Sequence, residues 1–456
     1  MDLLRRAVVA TIACSWLFLS GCGGTYRPIA SILPLAAGNP QLADTVAVFN
    51  VNPNTASVSD ATGSLSVFNV NGDSNVGNFS IGANDLLATV PPPQIPPTSR
   101  LITFAGGNSF IASADTQGHA VTVVDTLELT NRKASLPPDL VPSFITATAT
   151  TGKILVSMQA TPGSTTCPGG NGAIGIIDAI TATLTNTICV GAAAPGFIVV
   201  AQNDAKAFIL DTVDNNVSVL NIAAATLSAM PPLGVGNPVW ATTSPDGNTV
   251  YVLNQGSISV INAVAETVTG SITAVAAGLS NPSVIIADNS NRLYVSNKNP
   301  VGTVTVLNAS TLAAVHAPIT VGAKPVALSV TPDGSSVYVA NTGSNFASVI
   351  NANSFNVSTL TPIPATVDPT ATVQSVTVSK DGTKAFMAVT VNGDRANAAG
   401  TSGNGVYVVF TSNNAFVTNP SGSVLNVAPP QDMSCDATES CSGVLLQRPV
   451  QIVPRI

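Results

Sequence analysis

Charged side chains are scarce in this 456-residue chain, at 9% of the residues, where an average soluble domain has roughly 25%. Lysine and arginine number 16 against 23 aspartates and glutamates, and no basic cluster is larger than the pair Arg132-Lys133. Proteins that bind nucleic acid draw their affinity from basic side chains on phosphates, so we expect no nucleic-acid partner. Electrostatic adhesion to anionic lipid headgroups is disfavoured for the same reason.

Histidine is almost absent, since His119 and His316 are the only two in the chain. Two isolated histidines are too few for a site built from several imidazole ligands. His316 is expected to be packed or exposed at a rim, and His119 to lie in solvent at a hairpin. The GxSxG pattern of a hydrolase nucleophile elbow is missing as well. The residues therefore assign no catalytic, cofactor-binding or metal-binding position.

The chain also lacks an apolar N-terminal run long enough to stay in a bilayer. Arg5 and Arg6 precede the uncharged stretch 7–19, which is shorter than the roughly 20 residues of a membrane-spanning helix. A charged start followed by a short apolar core is typical of a secretory signal. We expect a signal peptide over residues 1–21.

The end of this segment, Leu19-Ser20-Gly21-Cys22, resembles the lipobox of bacterial lipoproteins. That resemblance implies a diacylglyceryl group on Cys22, which becomes the first residue of the mature protein. Two or more acyl chains anchor a protein stably, whereas one anchors it marginally. Residues 22–43 are then a tether, and the body is extracytoplasmic in a bacterial cell envelope, at the outer membrane or cell surface. The alternative is an ordinary signal peptide with an incidental cysteine.

The six cysteines divide into two groups, because Cys14 leaves with the signal and Cys22 carries the lipid. Four remain in the body: Cys167, Cys189, Cys435 and Cys441. An even number in an exported protein favours disulfides, and closeness in sequence favours Cys167 with Cys189 and Cys435 with Cys441. A four-thiolate metal site is the alternative, although no CxxC spacing supports it.

A repeat is present between residues 207 and 351. The segments "AFILDTVDNNVSVLN", "VYVLNQGSISVIN", "LYVSNKNPVGTVTVLN" and "VYVANTGSNFASVIN" follow one pattern, and their aromatic residues are spaced 43, 43 and 44 residues apart. Asp-Gly turn signals come before several units, as at Pro245-Asp246-Gly247 and Pro332-Asp333-Gly334. Asp closes a turn with local hydrogen bonds, and Gly adopts positive φ without a steric penalty.

Each unit is interpreted as four short strands. In the unit around Tyr338 these are "PVALSVT", "SVYVAN", "ASVIN" and "VSTLTPI". The middle strands are apolar on both faces, so neighbouring sheets must cover both faces. Sheets stacked around an axis do this, which predicts an all-β fold: a β-propeller of four-stranded blades.

The pattern [VL]-Tyr-Val-x-Asn followed by x-[SV]-Val-[IL]-Asn resembles the YVTN-repeat family of bacterial β-propellers. The resemblance covers about 44–420 and is strongest over 195–367. It implies a funnel-shaped propeller, often of seven blades and usually exported. Members include binding proteins and, among the related lactonase propellers, enzymes.

Six repeat units are clear, at about 99–137, 142–192, 195–236, 237–278, 281–322 and 324–366. The flanking segments 44–84 and 368–425 form either two further blades, giving eight, or one shared ring-closing blade, giving seven. The family resemblance favours seven. We place the propeller at 44–425, followed by a C-terminal segment, 426–456, that contains Cys435 and Cys441 and is a candidate to contribute to ring closure.

Three motifs carry alternative interpretations. The GxGxxG run over 170–175 would cradle a dinucleotide only if a helix followed, and here a strand follows, so a loop between strands is expected. Asp211, Asp214 and Asn215 are either Ca²⁺ ligands or, as we favour, a hairpin turn. Trp240, in a first strand, is either a ligand platform at the central channel or, as we favour, part of the core.

Two functional hypotheses follow. The first is a membrane-anchored binding or interaction scaffold whose loops or channel mouth engage an envelope protein or a glycan. The second is a periplasmic hydrolase of lactonase type with its site at the channel mouth. Sparse histidines and charges favour the scaffold, for which no cofactor is expected.

Overall fold

The computed structural model describes residues of the propeller region and of the C-terminus. By contacts the chain divides into Met1–Asn39 and Pro40–Ile456, and all described residues lie in the second unit. They are 45–51, 62–70, 74–83, 102–105, 109–115, 119–126, 128, 130–191, 195–211, 217–230, 233, 237–366, 368–391, 405–418 and 448–454. Cys22, Cys435 and Cys441, and the expected signal peptide and tether, lie outside them.

The described residues form eight antiparallel sheets, which we call blades 1–8. Blade 1 contains β1 Thr45–Val51, β2 Thr62–Asn69, β3 Ser74–Ala83 and β31 Arg448–Pro454, and blade 2 contains β4 Ile102–Ala105, β5 Phe110–Asp115, β6 Ala120–Asp125 and β7 Thr130–Ser135. Blade 3 contains β8 Leu140–Ala147, β9 Lys153–Ala160, β10 Ala173–Asp178 and β11 Thr183–Cys189, and blade 4 contains β12 Pro195–Ala201, β13 Lys206–Asp211, β14 Val217–Asn221 and β15 Thr226–Ala229. Blade 5 contains β16 Pro238–Thr243, β17 Thr249–Asn254, β18 Ser257–Asn262 and β19 Thr267–Thr273, and blade 6 contains β20 Pro282–Ala287, β21 Arg292–Asn297, β22 Thr303–Asn308 and β23 Ala314–Thr320. Blade 7 contains β24 Pro325–Val330, β25 Ser336–Asn341, β26 Ala347–Asn351 and β27 Val357–Leu360, and blade 8 contains β28 Thr372–Val378, β29 Lys384–Thr390 and β30 Gly405–Phe410.

Burial within a blade follows the two-sided apolar pattern. In β25 the consecutive residues Val337, Tyr338, Val339 and Ala340 are all buried, although their side chains alternate between the two faces of the sheet. The outermost strand β27 is exposed over three of its four residues. Neighbouring blades therefore cover both faces of the middle strands of a blade, whereas the outermost strands face solvent.

The Asp-Gly turns join the first and second strands of a blade, as predicted. Gly247, Gly334 and Gly382 have φ of +70°, +69° and +72°, which only glycine adopts without steric cost. The preceding aspartate accepts a hydrogen bond from a backbone N–H two residues later, as from Asn248 N to Asp246 Oδ1 at 3.1 Å. These turns lie at one end of the blades, which we call the turn face.

The ring is closed by the C-terminal strand. β31 pairs antiparallel with β1, with Val48 opposite Ile452, so blade 1 takes three strands from the start of the described chain and its innermost strand from the end. The inner strands contact one another in sequence from β4 to β28, and β31 contacts both β28 and β4. The fold is thus a closed β-propeller.

The described blades number eight, the alternative count, and not the seven that the family resemblance favoured. The flanking segments do not share one blade. The first builds the outer three strands of blade 1, whereas 372–410 forms a separate three-stranded sheet, blade 8. Strand β31 completes blade 1 and contacts β28 and β29 of blade 8, so the two blades are neighbours in the ring.

No helix among the described residues is long and apolar enough to cross a membrane.

Candidate functional site

The inner strands of blades 4 to 7, which lie beside the propeller axis, share a bulge near their start. Pairing with the second strand shifts register directly after Pro195, Pro238, Pro282 and Pro325. Proline has no N–H to donate to a ladder and is tolerated at strand starts and bulges. The bulge leaves one extra residue in each inner strand, beside the axis of the ring.

Serine hydroxyls connect neighbouring inner strands across the blade boundaries. Ser143 Oγ donates to the carbonyl of Pro195 at 3.3 Å, and Ser283 Oγ donates to that of Pro325 at 3.0 Å. At the boundary between blades 8 and 1, the backbone amide of Ile452 donates to Ser375 Oγ at 3.4 Å. We call these contacts the serine seam. They satisfy backbone groups that the bulges and the open sheet edges would otherwise leave without partners.

Trp240 lies in the first strand of blade 5 and is half-buried. Its ring meets the ring of Phe197 of blade 4 in a T-shaped contact with centroids 4.2 Å apart, and it also packs against the apolar clusters of blades 5 to 7. An edge-to-face aromatic pair contributes packing energy between blades. Of the two interpretations, the core role matches these contacts.

The second strands of blades 5, 6 and 7 end in buried asparagines, which hydrogen-bond to the following strand or loop. Asn297 Nδ2 donates to the hydroxyls of Thr303 and Thr305 at 3.0 and 3.1 Å, and its Oδ1 accepts from Ser280 N at 3.0 Å. Asn254 Nδ2 donates to the hydroxyls of Ser257 and Ser259. Asn341 Nδ2 donates to the Ser348 hydroxyl and to the carbonyl of Phe346. The Oδ1 atoms of both asparagines have no protein partner in the described chain. These loops lie at the end opposite the turn face, which we call the loop face.

Two lysines lie near each other on the loop face. Lys298 follows β21 and Lys324 precedes β24, and the amide of Lys324 donates to the carbonyl of Asn299 at 2.9 Å. Burial, and secondarily the positive charge of Lys324, lowers the pKa of Lys298. A lysine with a lowered pKa is unprotonated more often at neutral pH than an ordinary one, so its amine is more available as a nucleophile or proton acceptor.

A loop over 161–172 in blade 3 is held by two devices. Cys167 and Cys189 form a disulfide with Cα atoms 5.6 Å apart, the pairing that sequence closeness favoured. Asp139 accepts hydrogen bonds from the amides of Thr165 and Thr166 at 2.8 and 2.9 Å and from the Ser164 hydroxyl at 2.9 Å. Bonds from Thr166 are the main reason that the pKa of Asp139 falls far below its usual value.

The glycine-rich run at 170–175 is a loop that enters strand β10, as expected, and no helix follows. A Cβ on Gly172 would lie 2.3 Å from Pro195 Cδ and 2.6 Å from the carbonyl oxygen of Met158. Glycine is therefore required here by close packing between blades 3 and 4, which is a structural reason and not a phosphate site.

The two histidines lie in different blades. His119 is half-buried, not in open solvent, with φ of 43° and Nδ1 2.8 Å from the carbonyl oxygen of Leu140 in the next blade. His316 is exposed on the outer strand β23, and its ring stacks on Phe355 with centroids 4.6 Å apart. No site brings them together.

The remaining acidic candidates are only partly described. Asp211 is buried at the end of β13, while Asp214 and Asn215 lie outside the described residues. Within the part of the chain that the structure describes, no group of three or more His, Cys, Asp or Glu side chains is placed to hold a metal ion.

The serine seam was missed by sequence reasoning, although a signal for it exists. A proline at the start of several first strands marks the bulge, and a serine directly after Pro142 and Pro282 marks the donors. The partners of those hydroxyls lie in the next blade, 52 and 42 residues away in sequence, so only the packing of neighbouring blades identifies them.

Comparison with known proteins supports the fold. The family model described as "Lactonase, 7-bladed beta-propeller" matches residues 254–363, the region of blades 5 to 7. No curated protein matches the chain in sequence.

Solved structures with a similar fold include the dihydro-heme d1 dehydrogenase NirN in complex with DHE, at 14% identity and a TM-score of 0.62 over 84% of this chain and 74% of that one. Hydrazine synthase of Kuenenia stuttgartiensis matches at 15% identity and TM-score 0.49 over 69% of this chain and 96% of that one. The mitotic checkpoint complex matches at 15% identity and TM-score 0.49, over 64% and 84%. At 14% identity the likeness to NirN concerns the fold alone. The chain is an all-β propeller, and its residues 254–363 resemble the lactonase family model.

Proposed function

We propose that this protein is a lipid-anchored, extracytoplasmic β-propeller that acts as a binding scaffold in a bacterial envelope. The observation that carries the scaffold role is the contrast between a repeated frame and a loop that is not repeated. The closed ring and its serine seam hold the frame, and on it the loop over 161–172 is fixed by Asp139 and by the Cys167–Cys189 disulfide. Binding residues are commonly carried by loops on a rigid scaffold.

A loop that is already ordered loses less conformational entropy on binding than a free loop does. Fixing the backbone of one residue costs about 1–2 kcal/mol, so a loop that is ordered before binding avoids that cost when a partner binds. We infer that the loop presents a surface to an envelope protein or glycan. The resemblance of the repeats to exported YVTN propellers supports the same location.

The anchor is tested by membrane fractionation of cells that express the full chain. Wild-type protein is expected in the membrane fraction and to incorporate labelled fatty acid, whereas Cys22→Ala should lose both properties, because the thiol is the attachment atom. Cys14→Ala is the matched control, since that cysteine lies within the segment expected to be removed. Membrane retention of unlabelled Cys22→Ala protein would refute the anchor.

A hydrolase of lactonase type is the second candidate, and the family match over 254–363 favours it. Lys298 lies in that region on the loop face, and its lowered pKa leaves more of its amine unprotonated at neutral pH than in an ordinary lysine. Acid release from simple lactones, followed by pH-stat titration, tests the activity. Lys298→Met should abolish hydrolysis, while Lys380→Met, on the turn face of blade 8, should leave it unchanged; no hydrolysis by the wild type would remove this candidate.

A further inference from the structure

A cavity of about 360 Å³ opens between blades 5 and 6 at the turn face. Polar groups of both blades line it: Ser244, Asp246, Asp288, Asn289, Asn291 and Ser310. The side chain of Tyr251 and the apolar surfaces of Pro245, Ala287 and Ala309 complete the walls. Its volume is many times the roughly 30 Å³ share of one water molecule, so a single ion does not fill it, and it falls within the range of small-molecule sites.

At three other boundaries the turns of neighbouring blades are joined by hydrogen bonds. Asp204 Oδ1 of blade 4 accepts from Ala149 N of blade 3 at 2.9 Å, and Gln202 N donates to Gly247 O of blade 5 at 3.0 Å. Between blades 6 and 7, Asn289 Nδ2 donates to Pro332 O at 3.3 Å. Over the continuously described stretch 237–366, no such bond joins the turns of blades 5 and 6, and the cavity occupies that gap.

Tyr251 distinguishes this gap from the equivalent positions in the next two blades. The Tyr294 hydroxyl donates to Asp288 Oδ2 at 3.2 Å, and the Tyr338 hydroxyl donates to Asn414 Oδ1 at 2.6 Å. Tyr251 is only 6% exposed, yet its hydroxyl makes no hydrogen bond within the described residues and its ring lines the cavity. This hydroxyl therefore opens onto the cavity and is available to donate a hydrogen bond to a ligand there.

The two carboxylates retain acceptor capacity that points to the class of ligand. Asp246 Oδ2 accepts from Asn248 Nδ2 alone, and Asp288 Oδ2 accepts from the Tyr294 hydroxyl alone. Since each carboxylate oxygen has about two acceptor positions, one remains on each of these atoms. Carboxylates that accept, a phenol that donates, and apolar patches beside them suit a neutral molecule that has many hydroxyl groups and also C–H faces.

We propose that the cavity between blades 5 and 6 is a sugar-binding site, in which Asp246 and Asp288 accept hydrogen bonds from ring hydroxyls and Tyr251 donates one. The site deepens the proposed binding role, on which it rests, by naming a glycan end as the ligand. It does not depend on the lipid anchor or on the loop over 161–172. It is also separate from the channel mouth on which the hydrolase candidate depends.

The test is titration of the full chain, purified in detergent, with D-glucose, D-galactose, D-mannose and N-acetyl-D-glucosamine, followed by calorimetry. Saturable binding of at least one sugar is expected, with a dissociation constant of about 1–10 mM for a single ring in an open cavity. Tyr251→Phe should weaken it about three- to tenfold, the range for one hydrogen bond, without lowering the melting temperature. Asp246→Asn should weaken it at least as much.

Tyr338→Phe is the matched control, because it removes a hydroxyl at the same repeat position but outside the cavity; its sugar binding should equal that of the wild type. The proposal is overturned if no sugar binds at about 100 mM, well above the expected dissociation constants, if Tyr251→Phe binds normally, or if only cationic amines bind. Binding of another envelope component by the same preparation would then preserve the scaffold role and reject the cavity alone.

Discussion

Blade 7 and blade 1 reach the same four-stranded sheet by different routes. Blade 7 is built from one continuous segment, β24 to β27, with each strand paired to the next through a short loop. Blade 1 takes β1 to β3 from residues 45–83 and its innermost strand, β31, from residues 448–454. Its central pairing therefore joins two segments separated by nearly the whole described chain.

The comparison shows that local strand pairing stabilises a single blade, whereas one long-range pairing closes the ring. Pairing of strands that are close in sequence has a small entropic cost of loop closure. Pairing of distant segments has a larger cost and forms late in folding. In return, β31 covers the edge of β1 and contacts the inner strands of both neighbouring blades. An uncovered edge would leave a row of backbone donors and acceptors available to pair with another chain, which leads to aggregation. Strand β31 therefore closes the ring, and we call it the latch.

Removal of the latch should have the largest effect on stability. Deletion of residues 448–456 takes away the inner strand of blade 1, and we expect it to cost more than about 5 kcal/mol, beyond the range of ordinary point substitutions. Thermal unfolding by circular dichroism should show a much lower midpoint together with aggregation. Ile452→Ala, a milder change at a buried position of the same strand, should cost about 2–4 kcal/mol.

An unchanged midpoint in the deleted chain would mean that the ring does not need the latch. The blades would then be stable through their contacts with neighbours alone, as in an open repeat array.

The disulfide closes a short loop, so the effect of removing it can be compared with the effect of removing the long-range pairing of β31 with β1. Cys167 and Cys189 are 22 residues apart, and a cross-link over such a loop stabilises by roughly 3 kcal/mol. The double substitution Cys167→Ser with Cys189→Ser should lower stability by about that amount and expose the loop over 161–172 to proteolysis. Urea unfolding and limited proteolysis measure the two effects, and the rest of the ring should remain closed.

Loss of more stability from this double substitution than from deletion of β31 would reverse the ranking. The principal closure of the molecule would then lie inside blade 3.

The smallest expected effect comes from a side chain inside blade 7. Burial, and secondarily the charge of Asp333, raises the pKa of Tyr338 to about 12, compared with about 10 for an exposed tyrosine. The unfolded chain therefore loses this proton first. The contribution of Tyr338 is complete below pH 10 and disappears as the pH rises towards 12, which amounts to roughly 2–3 kcal/mol.

Urea unfolding between pH 9 and pH 12 measures this dependence. Tyr338→Phe should make the alkaline decline shallower, with a modest loss at neutral pH from the missing bond to Asn414. An equally steep decline in the variant would assign the alkaline sensitivity to another group.

Much of each blade was predictable because its causes are local. The two-sided apolar strands around Tyr251, Tyr294 and Tyr338 and the Asp-Gly turns are where the repeat pattern placed them. The strand after the glycine-rich run and the Cys167–Cys189 pair also follow from short-range patterns. In these cases strand period and turn chemistry act within a few tens of residues.

The candidate sites were less predictable. Tyr251 and Tyr294 occupy equivalent positions in their repeats, and nothing in the sequence shows that one hydroxyl has a partner and the other faces a cavity. That difference depends on how closely the turns of adjacent blades approach. Packing between blades also decides the role of Trp240, whose contacts come from three of them.

The sequence by itself determined the all-β class, the four-stranded unit and the chemistry of its turns, because these depend on residues close together in the chain. Only the tertiary structure decided that the ring has eight described blades and that β31 completes the first. The number of blades depends on how sheets pack side by side and on which distant edge remains to be covered. Those are relations between segments that the order of residues does not place next to each other.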